Sequence, residues 1–243
     1  MQFTYDAYVG FLDRARSDGY TVRAFDTPDR TTGVEDQVIM LRHDVDLDLD
    51  RAVALAEVEQ RHGVSSTYFI LLTSPFYNPA SASGRERVRE IAARGHAVGL
   101  HFDPTVYGTL DNVAAFNARC SAEAGQLEHI TGVPVETVSF HRPAPALMGS
   151  GPELTTPLVH TYLARYVDDM EYCTDSTGVW RYGPPEDRPA LARGHAMHFL
   201  THPEWWSNDD MAPGARIRDL LDDRDRRTRA AVNVELAVPV DAD

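Results

Sequence analysis

Val38-Ile39-Met40-Leu41-Arg42-His43-Asp44-Val45-Asp46 opens as an unbroken apolar run and ends in two carboxylates. Four successive apolar residues suit a strand buried on both faces, as in a parallel sheet covered by helices. Working outward, the chain alternates apolar runs with amphipathic stretches. Thr4 caps a helix running to about Ser17, with Tyr5, Tyr8, Val9 and Leu12 on one face and Gly19 ending it. A strand is expected near Tyr20–Phe25, a helix over Arg51–Arg61 closed by Gly63, and a strand over Ser66–Leu72. A helix over Arg85–Ala93 closed by Gly95 and a strand over Ala97–His101 follow. Leu110, Val113, Asn117, Cys120, Ala124 and Leu127 mark a long amphipathic helix ending at Gly132. Beyond it, strands are expected at Val135–Phe140, Ala164–Val167, Gly178–Tyr182 and Ala196–Thr201, and a helix near Arg216–Arg226. Such alternation predicts parallel strands joined by helical crossovers. No glycine-rich dinucleotide turn is present, so the expected fold is an α/β barrel rather than a nucleotide-binding open sheet.

The composition narrows the chemistry. The 243 residues carry 23 basic and 37 acidic side chains, a net charge of −14, and every basic residue is arginine. Without lysine there is no Schiff-base chemistry and no Walker A motif. The acidic balance argues against nucleic acid or an anionic membrane as partner. No run approaches the roughly 20 apolar residues of a membrane span, and the N-terminus does not read as a signal peptide, so a cytoplasmic location is expected. The two cysteines, Cys120 and Cys173, read as packing residues.

The chemistry collects where strands end. Asp44 and Asp46 are spaced i, i+2, which on a strand puts both on one face about 6–7 Å apart. Like charges this close repel unless a cation or a proton lies between them, so one can hold a divalent metal while the other acts as a base. His101 and Asp103 repeat the spacing at the end of the next apolar strand and are good ligands for zinc and its neighbours. Ser139-Phe140-His141-Arg142-Pro143 ends another strand, and Arg142 is the expected partner that keeps Asp44 ionised. Thr201-His202-Pro203-Glu204-Trp205-Trp206 ends the last, with His202 the expected general acid. The tryptophans there could wall a sugar-sized pocket. Asp175, with Trp180 shortly after it, could orient a catalytic group or a substrate hydroxyl. Asp175, Trp205 and Trp180 are the substrate-binding candidates. His96 and His198 read as structural, and His43 has no evident partner in the sequence.

His43-Asp44-Val45-Asp46, Gly95-His96-Ala97-Val98-Gly99-Leu100-His101, Phe140-His141-Arg142-Pro143 and Leu200-Thr201-His202-Pro203, in this order, resemble the motifs of the polysaccharide deacetylase superfamily. The match spans about two thirds of the chain. The resemblance implies a distorted (β/α)7 barrel, TIM-like, here a single domain over residues 1–243 with 1–35 as an accessory helix and strand. It implies Asp44 as base, Asp46 and His101 as metal ligands and His202 as acid. The family's second metal histidine falls on Thr105, so the third ligand is either Asp103 or His141. The implied activity is metal-dependent removal of an acetyl or formyl group from an amino sugar or small sugar conjugate, as in the intracellular branch. The implied cofactor is Zn²⁺, with Co²⁺, Ni²⁺, Mn²⁺ or Fe²⁺ as alternatives. The partner is the small-molecule amino-sugar substrate, and monomer and homo-oligomer both stay open. The alternatives are hydrolysis of another amide or ureide C–N bond, or a non-catalytic sugar-binding protein that keeps the fold.

Overall fold

The computed structural model describes residues 1–25, 37–108, 113–142 and 158–237. Helix α1 spans Tyr5–Ser17, with the Thr4 hydroxyl accepting the Ala7 N–H as its cap. Strand β1 (Thr21–Arg23) precedes β2 (Val38–Val45), in which all eight residues are buried. Then come α2 (Leu49–Arg61), β3 (Thr67–Leu71), α3 (Ala82–Ala93), β4 (Ala97–Phe102), α4 (Val113–Thr131) and β5 (Thr137–Phe140). The C-terminal part holds β6 (Val159–His160), α5 (Ala164–Val167), β7 (Glu171–Thr174), α6 (Pro189–Arg193), β8 (Met197–Thr201) and α7 (Pro213–Leu236). Among the described residues no helix is long and apolar enough to cross a membrane.

All the strand pairs are parallel, in the order β6-β5-β4-β3-β2-β8-β7, with β1 beside the first half of β2. Strands lie about 4.8 Å apart, so β2 and β5, three places away, would be about 14 Å apart in a flat sheet. Yet Ser139 on β5 donates to Asp44 on β2 at 3.1 Å. The sheet therefore curls strongly, and residues of one parity point into the curl. On β2 these are Met40, Arg42 and Asp44. Their neighbours Leu41, His43 and Val45 face the helices. Gly99 on β4 is part of this packing: a Cβ there would lie 2.4 Å from the Phe69 ring inside the curl. The result is a curled parallel α/β sheet of the distorted-barrel kind with an N-terminal helix.

Three expectations need correction. Ala164–Val167 is a short helix, and Gly178–Tyr182 is turn rather than strand; the strands at this point are β6 and β7. Short runs of this composition carry no periodicity that separates the two states. Helix α7 runs ten residues beyond the expected Arg226, to Leu236. Leu110, read as the start of the fourth helix, and Pro143 lie outside the described residues.

On the outer face, His43 meets a network centred on Glu59 of α2, which is fully buried. Glu59 accepts from the Tyr8 hydroxyl, from Ser66 Oγ at 2.7 Å and from the Tyr68 hydroxyl at 2.8 Å. His43 Nε2 lies 2.9 Å from Glu59 Oε1, and His43 Nδ1 lies 2.5 Å from the Thr201 hydroxyl. One buried carboxylate thus ties α1, α2, β2 and β3 together. Burial pushes it up, but His43 and then His96 outweigh burial and hold it down at about 2.

Candidate active site

The register brings the strand ends to one rim. Asp44 is level with Phe69 of β3, and Leu71, two residues on, is level with His101 of β4. Asp46, two residues beyond Asp44, therefore reaches the level of His101. Ser139 pairs with His101, so His141 projects from the next inward position.

Asp46, His101 and His141 converge. His101 Nε2 lies 3.2 Å and His141 Nδ1 3.4 Å from Asp46 Oδ1, and the two imidazole nitrogens are 3.2 Å apart. Ligands about 2.1 Å from a tetrahedral ion are about 3.4 Å from one another, so these atoms have the spacing of a metal's donor set. Asp46 is mostly buried, and its Oδ1 has no hydrogen-bond donor of satisfactory geometry. Burial raises the Asp46 pKa, but the neighbouring imidazoles of His101 and His141 prevail and hold it far below the usual carboxylate range. One carboxylate and two imidazoles suit Zn²⁺ or a neighbouring divalent ion. Among the described residues this is the one cluster of such groups close enough for an ion. Asp103 stays apart: its Oδ1 accepts from the Thr105 N–H at 2.8 Å and from the Thr105 hydroxyl at 2.6 Å. Of the two third-ligand alternatives, His141 is the one at the cluster.

Asp44 lies below this cluster, 2% exposed. Its partner is Arg42, not Arg142. Arg42 Nη1 donates to Asp44 Oδ1 at 3.0 Å and to Oδ2 at 3.3 Å. Arg142 is exposed, with a positive φ of 50° that turns it off the strand. It also has the wrong parity, because Ser139 and His141 are the inward residues of that strand. Arg42 is fully buried and is flanked by the rings of Phe69 and Tyr162. Desolvation would lower its pKa, but the Asp44 charge outweighs this and keeps the guanidinium firmly charged. The second Asp44 oxygen lies 3.9 Å from His101 Nδ1, a carboxylate behind a candidate ligand histidine.

His202 stands at the end of β8. Asp175, fully buried, lies 2.6 Å from His202 Nδ1, accepts the His202 backbone N–H at 3.0 Å and accepts Trp206 Nε1–H at 3.0 Å. Burial lowers the His202 pKa, but Asp175 raises it more, and the imidazole is pushed up to about 10. Asp46 and Glu204 add to this rise. Asp175 is therefore spent on orienting His202 and offers no free edge to a substrate. The tryptophan candidates also have packing roles. Trp180 stacks on Phe3 at 5.0 Å and donates its Nε1–H to the Met1 carbonyl at 2.9 Å. Trp205 covers Gly178, where an added Cβ would meet its ring at 2.8 Å.

Three groups escaped the sequence reading. Arg42 carries a signal, since it shares the i, i+2 parity of Asp44 and Asp46. Ser139 shares parity with His141. Glu204 is 4% exposed, and burial pushes it up to about 8 beside His202 and Asp46; no local pattern marks it.

No family model and no curated protein matches this chain. Solved structures do. One is the chitin deacetylase of Colletotrichum lindemuthianum, with 14% identity and a TM-score of 0.45, covering 84% of this chain and 86% of that one. A second is a family 4 carbohydrate esterase from Bacillus anthracis, with 15% identity and a TM-score of 0.34, covering 53% of this chain. This chain covers 56%, about half, of that esterase's length. A third is BA3943 of Bacillus anthracis, described as a family 4 pseudoenzyme, with 14% identity and a TM-score of 0.40, covering 84% of this chain and 66% of that one. Two of these structures carry the names of a carbohydrate esterase and a chitin deacetylase, and the third that of a pseudoenzyme.

Proposed function

We propose that this chain is a metal-dependent hydrolase of the polysaccharide deacetylase superfamily that removes an acetyl or formyl group from the nitrogen of an amino sugar or small sugar conjugate. One observation carries the reading. A buried carboxylate locked to a guanidinium lies directly beneath a His-His-Asp donor cluster, and an imidazole locked to a second buried carboxylate shares that rim. Asp46, His101 and His141 would hold the ion. A divalent cation there, once bound, would supply Lewis acidity for the acyl oxygen and would make water more acidic.

The remaining roles belong to the chain's own side chains. Asp44 takes a proton from water, with Arg42 and Ser139 donating to its oxygens and fixing the orientation of the carboxylate. His202 keeps its proton at neutral pH and gives it to the departing amine nitrogen, with Asp175 fixing the ring. A proton acceptor and a proton donor thus share one rim, as hydrolysis of an amide requires. The missing ligand at Thr105 does not by itself argue for an inert protein, because His141 offers a third donor.

The test is release of acetate or formate from a panel of N-acetyl and N-formyl amino sugars and their small conjugates, with cyclic amides and ureides included. Release from the amino sugars that stops on chelation and returns with a divalent ion is the expected result. Release only from the cyclic substrates would move the activity to another C–N bond. No release from any substrate by metal-loaded protein would favour a non-catalytic sugar-binding protein.

A further inference from the structure

We propose that His198 is a positioning residue for this site, aligning through Arg42 the carboxylate of Asp44. The inference rests on the reading of Asp44 as base. Its geometry is complete within the curl of the sheet. His198 on β8 is fully buried, one strand from Arg42 on β2. Arg42 Nε donates to His198 Nε2 at 2.9 Å. A guanidinium N–H only donates, so His198 Nε2 carries the lone pair and Nδ1 the proton. Nδ1 then donates to the Tyr166 carbonyl at 2.9 Å, which fixes the tautomer. The rings of Phe25 and Tyr172 lie 5.0 Å and 4.9 Å from the imidazole and clamp it.

A guanidinium is planar, so holding its Nε–H sets the direction of its other N–H bonds. Nη2 donates to the Tyr162 hydroxyl at 3.1 Å, and Nη1 is left facing Ser139 and both oxygens of Asp44. His198 and Tyr162 thus grip two edges of the fork, and the third edge meets the base. Burial and then the neighbouring Arg42 charge push His198 well below its usual pKa, in keeping with the neutral accepting ring that the Arg42 contact requires.

Two substitutions separate this role from packing. In His198→Gln the amide oxygen can reach the Nε2 position and accept from Arg42. In His198→Asn the amide can serve the Tyr166 carbonyl but leaves the Arg42 Nε–H without an acceptor. H198N is expected to lower kcat by about 10- to 100-fold, the scale of an ångström-sized misplacement, with KM and metal content unchanged. H198Q is expected to stay near the parent. In an R42M background, H198N should add no further loss, because the two residues act as a unit.

A readout independent of activity is the ¹⁵N–¹H spectrum of the arginine Nε–H groups, in which the Arg42 signal is the one missing from R42M. It should exchange slowly in the parent and H198Q and move and exchange faster in H198N. Equal losses of kcat in H198N and H198Q, or an Arg42 signal untouched by H198N, would overturn the proposal. If the parent releases no acyl group at all, the proposed activity fails, while this signal still decides whether His198 orients Arg42.

Discussion

Asp44→Asn is expected to lower kcat/KM by about 10²- to 10⁴-fold, the usual contribution of a general base, while metal content stays at the parent level. Asparagine keeps the shape of the side chain and an acceptor oxygen for Arg42 Nη1. It cannot take a proton from water. It also removes the negative charge beside a fully buried guanidinium. Breaking a buried pair by removing one partner costs about 3–5 kcal/mol, so the variant should also melt earlier. The assay is therefore run below the variant's melting temperature, with folding checked by circular dichroism. Low activity in folded, metal-loaded D44N is the expected combination. Near-parent activity in that variant would remove Asp44 from the role of base.

Glu59→Leu is the second large effect, and it concerns stability alone. Glu59 is the common acceptor of Tyr8, Ser66 and Tyr68 and the partner of His43, all in a buried region. Leucine leaves those polar groups facing an apolar side chain, which costs about 1–3 kcal/mol for each one left unsatisfied. A total loss of at least about 3–5 kcal/mol is expected, or roughly 6–20 °C in Tm for a chain of this size.

The pH dependence has a definite sign. The Glu59 carboxyl falls from its ordinary 4.5 to about 2 on folding, so its contribution is fully present above about 4.5 and is lost as pH falls toward 2. His96, pushed below its ordinary 6.5 chiefly by burial, acts in the same direction, because acid must protonate it in the unfolded chain first. Thermal melts from pH 7 down to pH 3 should show the parent losing its advantage over E59L in acid. A difference that is small at pH 7, or constant with pH, would contradict the hub.

How much of this was legible in the sequence depends on whether the cause was local. The apolar run Val38–Leu41 ending in Asp44 and Asp46 announces both a buried strand and a polar rim, because strand periodicity and charge are read from neighbours. His101 and His202 are legible for the same reason. Arg42 shares the inward parity but is hard to read from sequence, since an arginine inside an apolar strand is unusual until its partners are known. Arg142 stands at a strand end and carries a fixed charge, yet parity and a positive φ turn it out of the site. His43 and Glu59 are 16 residues apart on different elements, and the Asp175–His202 pair spans 27. Such pairs are fixed by packing of the whole sheet, and no window of sequence contains them. The short strands β6 and β7 leave no legible trace, because they are shorter than a period-2 pattern needs to be recognised.

The central claim is that Asp46, His101 and His141 form one metal site, with His141 in place of the absent histidine at Thr105. Elemental analysis of purified protein, after equilibration with Zn²⁺ and removal of loosely bound ion, tests it most directly. About one ion per chain is expected for the parent and for D103A, and a large loss of bound ion for H141A. Stoichiometric metal in H141A, or its loss in D103A alone, would contradict the assignment.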